Sequence, residues 1–107
     1  MRLIHVTDRR NLPSITERGL DPAYATGKRS AVWAVAPKNE SWAILHTLSK
    51  PRAAGRTVAD HVVLVVDVPR SWLRRHAAGV WWCDRVIPTE RIAVIREAAD
   101  TAAQYPI

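Results

Sequence analysis

Two polar side chains stand one residue apart near the start of the chain, beside a short apolar run. His5 lies within the run at residues 3–6 and Thr7 ends it, and this spacing places both on one face of a strand. An imidazole and a hydroxyl can both hydrogen-bond the hydroxyl groups of a ligand. The alternative for His5 is a strand histidine that is hydrogen-bonded inside the core.

Trp33 and Arg29 supply an aromatic face and a planar cation farther along the chain. Trp33 lies in the middle of a second apolar run and could stack on a planar ring, which is worth about 1 kcal/mol beyond its burial. Arg29, or the neighbouring Lys28, could pair with a phosphate group. Core packing for Trp33 and an exposed loop charge for Arg29 are the alternatives.

The apolar run at residues 80–83 carries two tryptophans but no carboxylate. Asp84 directly follows it, and Glu90 lies in the next turn, where it is expected to cap the turn or pair with a neighbouring arginine. Trp81 and Trp82 are adjacent and so point to opposite faces of a strand. One is expected in the core, and the other could stack a nucleic-acid base, at roughly 1 to 3 kcal/mol per base.

These side chains need a sheet to position them, and the hydrophobic patterning predicts one. Apolar or β-branched runs bounded by Pro and Gly predict strands at residues 3–6, 31–36, 61–68, 80–83 and 86–95, the last as one or two strands around a turn. Helical patterns lie at 12–18, 39–50 and 98–104, and residues 69–76 are expected to form a short helical turn. In the second helix Trp42, Leu45 and Leu48 recur at helical spacing and are expected to face the sheet. Residues 51–60 are expected to be an exposed, mobile connection.

Length and composition indicate a folded, single-domain protein. The 107 residues suffice for one core, and 48% hydrophobic with 24% charged residues is ordinary for a globular fold. The net charge is +6, and thirteen of the sixteen basic residues are arginines, which favours a polyanionic partner such as nucleic acid, NAD or an acidic protein. Charges spread over a solvated surface are the alternative.

The cysteine and histidine content argues against disulfide and metal chemistry. Cys83 is the only cysteine, which excludes an internal disulfide, and with four scattered histidines it gives no metal-ligand spacing, so no metal site is predicted. The first residues show no signal-peptide pattern, and no apolar run approaches the roughly 20 residues of a membrane span. We therefore expect a cytoplasmic protein without membrane contact.

Three segments together resemble the ADP-ribosyltransferase-like superfamily. They are His5-x-Thr7 followed by Asn11-Leu12 and Gly19-Leu20, then Arg29 to Ala34 around Trp33, and finally Val86-Ile87-Pro88-Thr89-Glu90-Arg91-Ile92. The opening is similar to that of DNA-modifying toxins of the DarT type. The arginine shortly before the second strand resembles the tRNA 2′-phosphotransferases.

The resemblance implies an α/β (α+β) fold, with a small split mixed β-sheet and short packing helices, over residues 1–107 as one domain. It also implies NAD as a substrate. In this interpretation His5 and Thr7 bind the nicotinamide and its ribose, Trp33 forms the stacking wall, and Arg29 pairs with the pyrophosphate.

ADP-ribosyl transfer breaks the nicotinamide–ribose bond through a cation-like sugar, so the site must hold the nicotinamide, expose the ribose and stabilise positive charge. Members of the superfamily use a glutamate on a late strand for this, and Asp84 is the candidate acid here. The resemblance implies DNA or RNA, and an antitoxin or another acidic protein, as partners. Two alternatives are a non-catalytic module that binds a nucleotide, nucleic acid or protein, and 2′-phosphate transfer from RNA to NAD.

Overall fold

The computed structural model describes residues 1–25 and 29–104, the last three of these by backbone alone. Its strands are β1 (Arg2–Asp8), β2 (Val32–Val35), β3 (His61–Asp67), β4 (Leu73–Ala77), β5 (Val80–Cys83) and β6 (Ile92–Glu97). Its helices are α1 (Leu12–Arg18), α2 (Glu40–Leu48) and α3 (Ala98–Gln104), joined by short 3₁₀ turns. The α+β class expected from the sequence is confirmed.

The six strands form one sheet in the order β4-β5-β2-β1-β3-β6. Every neighbouring pair is antiparallel, whereas a mixed sheet was expected. For β4 and β5 the reason is local, because Ala78 and Gly79 alone connect them and so short a turn can only reverse the chain. The other strand directions depend on long-range pairing that no local pattern specifies.

Both faces of the sheet are covered by apolar side chains, which explains why β3, at the centre of the β1-β3-β6 part, is buried on both sides. One face packs against Ile15 of α1 and the segment around Ile87, and we call this cluster the first core. The other face packs against Ala43 and Ile44 of α2 and Ala98 of α3, and we call it the second core.

Two of the predictions about elements are wrong. Residues 69–76 were expected to form a helical turn, but only Arg70–Trp72 form a 3₁₀ turn, and edge strand β4 begins at Leu73. In α2 the side chains of Trp42 and Leu45 are exposed, while Ala43 and Ile44 are buried against the sheet. Of the three residues expected to face the sheet, only Leu48 packs against the second core. The helix carries apolar residues on more than one side, so its spacing alone did not identify the buried face.

Helix α1 ends at Gly19 because only a glycine fits there. Gly19 has φ 80°, and a Cβ on it would lie 2.4 Å from the carbonyl oxygen of Ile87. This close approach lets Leu20 and Ile87 exchange both backbone hydrogen bonds, at 2.9 Å each. The bridge fastens the end of α1 to the segment that precedes β6.

The connection between α2 and β3, expected to be exposed and mobile, is mostly exposed and is bonded to residues at the end of β1. The guanidinium of Arg56 donates two hydrogen bonds of 2.8 Å to the buried carboxylate of Asp8. These bonds hold the pKa of Asp8 down at about 2, although burial acts in the opposite direction. Arg10 donates a further bond of 2.9 Å to the carbonyl of Arg52.

Among the described helices, none combines the length and the apolar character needed to cross a membrane.

Candidate functional site

The sheet is split between β1 and β2. These strands are paired in register only at Ile4 and Val35, whereas β1 and β3 are paired along seven consecutive residues. Just beyond the single pair, Nδ1 of His5 lies 2.6 Å from the carbonyl oxygen of Trp33. The imidazole therefore takes a place that a backbone N–H would hold in a continuous ladder.

The contact with Trp33 determines the tautomer of His5. A carbonyl oxygen can only accept a hydrogen bond, so Nδ1 carries the proton. Burial lowers the pKa of His5 below its ordinary value; the hydrogen bond to the Trp33 carbonyl acts against this, and the positive charge of Arg52 reinforces it. His5 is thus neutral at pH 7, and its Nε2 has a lone pair that can accept a hydrogen bond from a ligand hydroxyl.

Thr7 lies two residues after His5 on the same strand, so the two side chains share a face, as predicted. Its hydroxyl oxygen accepts a hydrogen bond of 3.0 Å from Nδ2 of Asn11, and the side chain is buried. Asn11 sits at the N-cap position of α1 but makes no side-chain cap bond there. The start of α1 therefore positions the Thr7 hydroxyl, which keeps its own proton for donation.

The indole of Trp33 does not share a face with His5. Val32 and Ala34 belong to the first core, so strand alternation places Trp33 on the opposite face, where it pairs with Trp82 of β5. The indole is 37% exposed and meets the His76 ring edge-on, with centroids 5.0 Å apart. The structure brings the Trp33 backbone to His5 and leaves the indole on the other side.

Arg29 lies on the same face as the Trp33 indole. Its guanidinium carbon lies 4.3 Å from the centroid of the Trp82 ring, a cation–π contact. The neighbouring candidate Lys28 lies outside the described residues. Arg29 and Trp33 are therefore close neighbours of Trp82, and His5 and Thr7 form a separate pair.

Asp84 lies at the same end of the sheet as Thr7 but not beside it. It is exposed in the bend that follows β5, and makes no hydrogen bond or ion pair with any described residue. Cys83 is in register with Val32, so β2 stands between Asp84 and β1, a separation on the order of 10 Å for two strand spacings. Glu90 is also exposed and accepts a hydrogen bond of 3.3 Å from Thr89.

Sequence reasoning missed most of a cluster in which arginines lie on tryptophan rings. Besides Arg29, Arg74 lies over Trp82 at 6.0 Å and Arg70 lies over Trp81 at 5.8 Å. Two further arginines, Arg85 and Arg91, lie over the ring of Trp72. The available signal was five tryptophans without a single phenylalanine in an arginine-rich chain. The contacts depend on which distant segments the fold brings together, and Arg74 lies on β4, which the patterning did not predict.

No protein-family model matches this chain, and no curated protein matches it in sequence.

Proposed function

We propose that the chain binds NAD at the split between β1 and β2 and transfers ADP-ribose from it to an acceptor. The observation that carries this proposal is His5 at the split, held through Nδ1 by the Trp33 carbonyl with Nε2 left to accept from a ribose hydroxyl. Thr7, fixed by Asn11, supplies a donor on the same face. Together they give the nicotinamide-ribose one acceptor and one donor, both preorganised.

The reaction breaks the bond between the ribose carbon and the nicotinamide nitrogen. The electron pair of that bond leaves with nicotinamide, an acceptor nucleophile forms the new bond to the ribose carbon, and the acceptor's proton passes to a base or to water. His5 orients the ribose during this step. Asp84 is the proposed acid that stabilises the positive sugar, and it would reach the ribose from the end of β5.

The position of Asp84 favours one alternative, a module that binds NAD or another nucleotide without cleaving it. Asp84 is exposed, and β2 separates it from His5. Binding needs only the imidazole and the hydroxyl, whereas cleavage also needs a carboxylate at the ribose. The proposal of ADP-ribosyl transfer also includes a cytoplasmic location, where NAD and nucleic acid are present. It further includes an acidic antitoxin as a partner.

The first test compares His5→Ala with His46→Ala. His46 is exposed on α2 and stacks on Trp42, so its loss is a matched histidine control. The purified protein is incubated with NAD, with and without DNA and RNA, while nicotinamide release and mass gain on each acceptor are followed. We expect release in the wild type and in His46→Ala and none in His5→Ala, with NAD affinity, measured by calorimetry, also lost. If His5→Ala bound NAD as tightly as the wild type, the split between β1 and β2 would be excluded as the binding site.

A second pair of variants separates transfer from binding alone. Asp84→Asn is expected to reduce nicotinamide release by roughly a hundredfold or more, because the neutral amide cannot stabilise the cationic sugar, while NAD affinity is kept. Glu17→Gln removes an exposed carboxylate on α1 and is the matched control. Release that is equal in Asp84→Asn and in the wild type would exclude Asp84 as the acid. NAD binding without release in the wild type would establish the non-catalytic alternative.

A further inference from the structure

Ten of the thirteen arginines fall into two groups of five according to their partners. Arg2, Arg9, Arg10, Arg56 and Arg96 all form ion pairs with carboxylates. These pairs belong to the part of the molecule built by β1, β3 and β6. Around β4 and β5, by contrast, five arginines lie on tryptophan rings, and no carboxylate pairs with them among the described residues.

One face of the β2-β5-β4 part gathers two tryptophans, two of these arginines and a histidine. Trp33 and Trp82 are a directly opposed pair on β2 and β5, and Arg74 is opposed to Trp82 on β4. The guanidinium of Arg29 also lies over the Trp82 ring, and the rings of His76 and Trp33 meet edge-on. We call these five side chains, Arg29, Trp33, Arg74, His76 and Trp82, the Trp33–Trp82 surface.

We propose that the Trp33–Trp82 surface binds single-stranded nucleic acid. Its two arginines provide charge that no carboxylate of the described residues pairs with, which suits the phosphates of a strand. Its indoles and guanidinium planes provide flat faces on which unpaired bases stack, at roughly 1 to 3 kcal/mol per base. An acidic protein would satisfy the charge but would leave the aromatic faces without stacking partners.

The charge distribution of the rest of the molecule supports this assignment. Strand β4 is at the edge of the sheet formed by the described residues, and its Arg74, Arg75 and His76 are all exposed. Arg75 is opposed to Trp81, so the cationic rim continues around the edge to the other face. Five arginines of the β1-β3-β6 part are paired with carboxylates, so the arginines of this side add positive charge that no described carboxylate pairs with.

This inference goes beyond ADP-ribosyl transfer and is tested without NAD. The probe is a fluorescein-labelled single strand of roughly 15 nucleotides, prepared as DNA and as RNA and compared with a duplex of equal length by fluorescence anisotropy. We expect the single strands to bind more tightly than the duplex. Binding of either strand supports the proposal, and the tighter one identifies the natural class.

Two double variants of equal net charge locate the binding. Arg29→Gln/Arg74→Gln should weaken single-strand binding on the order of tenfold and lower the salt slope of log K by about 1.4, the value for two phosphate contacts. Arg2→Gln/Arg9→Gln removes two exposed, paired arginines and should leave binding within about twofold of the wild type, because exposed ion pairs contribute little. Equal losses in the two double variants would overturn the proposal.

Stacking is tested separately from charge with Trp33→Leu. Trp33 is partly exposed, so its replacement keeps an apolar side chain on β2 while it removes the ring. We expect at least a fivefold loss of single-strand affinity and unchanged binding of heparin, a polyanion that has no bases. Polyglutamate that binds more tightly than either single strand, or a Trp33→Leu variant with wild-type affinity, would assign this surface to an acidic protein instead.

Discussion

Polar residues at the buried end of β1 each have a defined partner in the structure. His5 bonds the Trp33 carbonyl, Thr7 accepts from Asn11, and Asp8 is held by Arg56. The sequence predicted the shared face of His5 and Thr7, because a strand alternates with a period of two. It gave no sign of the Asp8 pair, whose members stand 48 residues apart.

The Asp8–Arg56 pair makes the stability of the protein depend on acid pH. The folded protein holds the pKa of Asp8 at about 2, below its ordinary value, so the pair stabilises the fold fully above about pH 4. That contribution is lost as the pH falls from about 4 through about 2. We expect Asp8→Asn to lower the free energy of unfolding by about 2 kcal/mol at pH 7 and by almost nothing near pH 2. Urea denaturation at a series of pH values measures both.

Asp67→Asn is the control for Asp8→Asn. Asp67 pairs with Arg2 at 3.4 Å in an exposed position, so its loss should cost no more than about 1 kcal/mol at any pH. A difference between the wild type and Asp8→Asn that stayed constant from pH 7 to pH 2 would contradict the assigned role of the Asp8 carboxylate.

At the scale of the elements, the residues that terminate strands and helices were the most informative. Gly19 predicted the end of α1, and the β-branched run at residues 61–68 predicted β3 nearly to its last residue. Strand β4 was missed because Arg74, Arg75 and His76 show no apolar alternation, and the strand exists through its pairing with β5. The prediction of the buried face of α2 was wrong for a related reason. Trp42 and Ile44 are both apolar, and only the packing of the helix on the sheet decides which of them is buried.

Two glycines with similar backbone angles give an element-scale prediction. Gly19 has φ 80° and a Cβ there would collide with the Ile87 carbonyl, while Gly55 has φ 76° with nothing within 4 Å of an added Cβ. We expect Gly19→Ala to lower the free energy of unfolding by about 3 kcal/mol, through backbone strain and the clash, and Gly55→Ala by about 1 kcal/mol, through the backbone angle alone. Thermal or urea unfolding of the two variants is the measurement. Equal losses of unfolding free energy would show that the backbone around the Leu20–Ile87 bridge shifts at little cost and would contradict the expected clash.

At the scale of the whole molecule, the α+β class followed from the patterning but the strand order did not. Each run predicted that a strand exists, and its neighbours depend on contacts between distant segments, such as Leu3 with Val66. The same limit applies to the candidate site. The sequence placed Trp33 on a strand beside His5, but the side of the sheet that its indole occupies became clear only from the two cores.

The split divides the sheet into two parts of unequal strength. Strand β3 is paired along its length with β1 and β6, whereas β2 meets β1 at one residue pair. We expect native-state hydrogen exchange to show amides of Val63 and Leu64 opening only with global unfolding, and amides of β2 and β5 opening at a lower free energy. Identical opening energies in both parts would contradict a weak joint between β1 and β2.

Cys83 gives this division a practical consequence. It is fully buried as the last residue of β5, in the first core, and its thiol bonds the carbonyl of Arg85 at 3.4 Å. A thiol reagent can reach its sulfur only after the β2-β5-β4 part separates from α1 and the segment around Ile87. The rate at which a thiol reagent modifies Cys83 therefore reports how often this part opens. A ligand bound across the split would lower that rate.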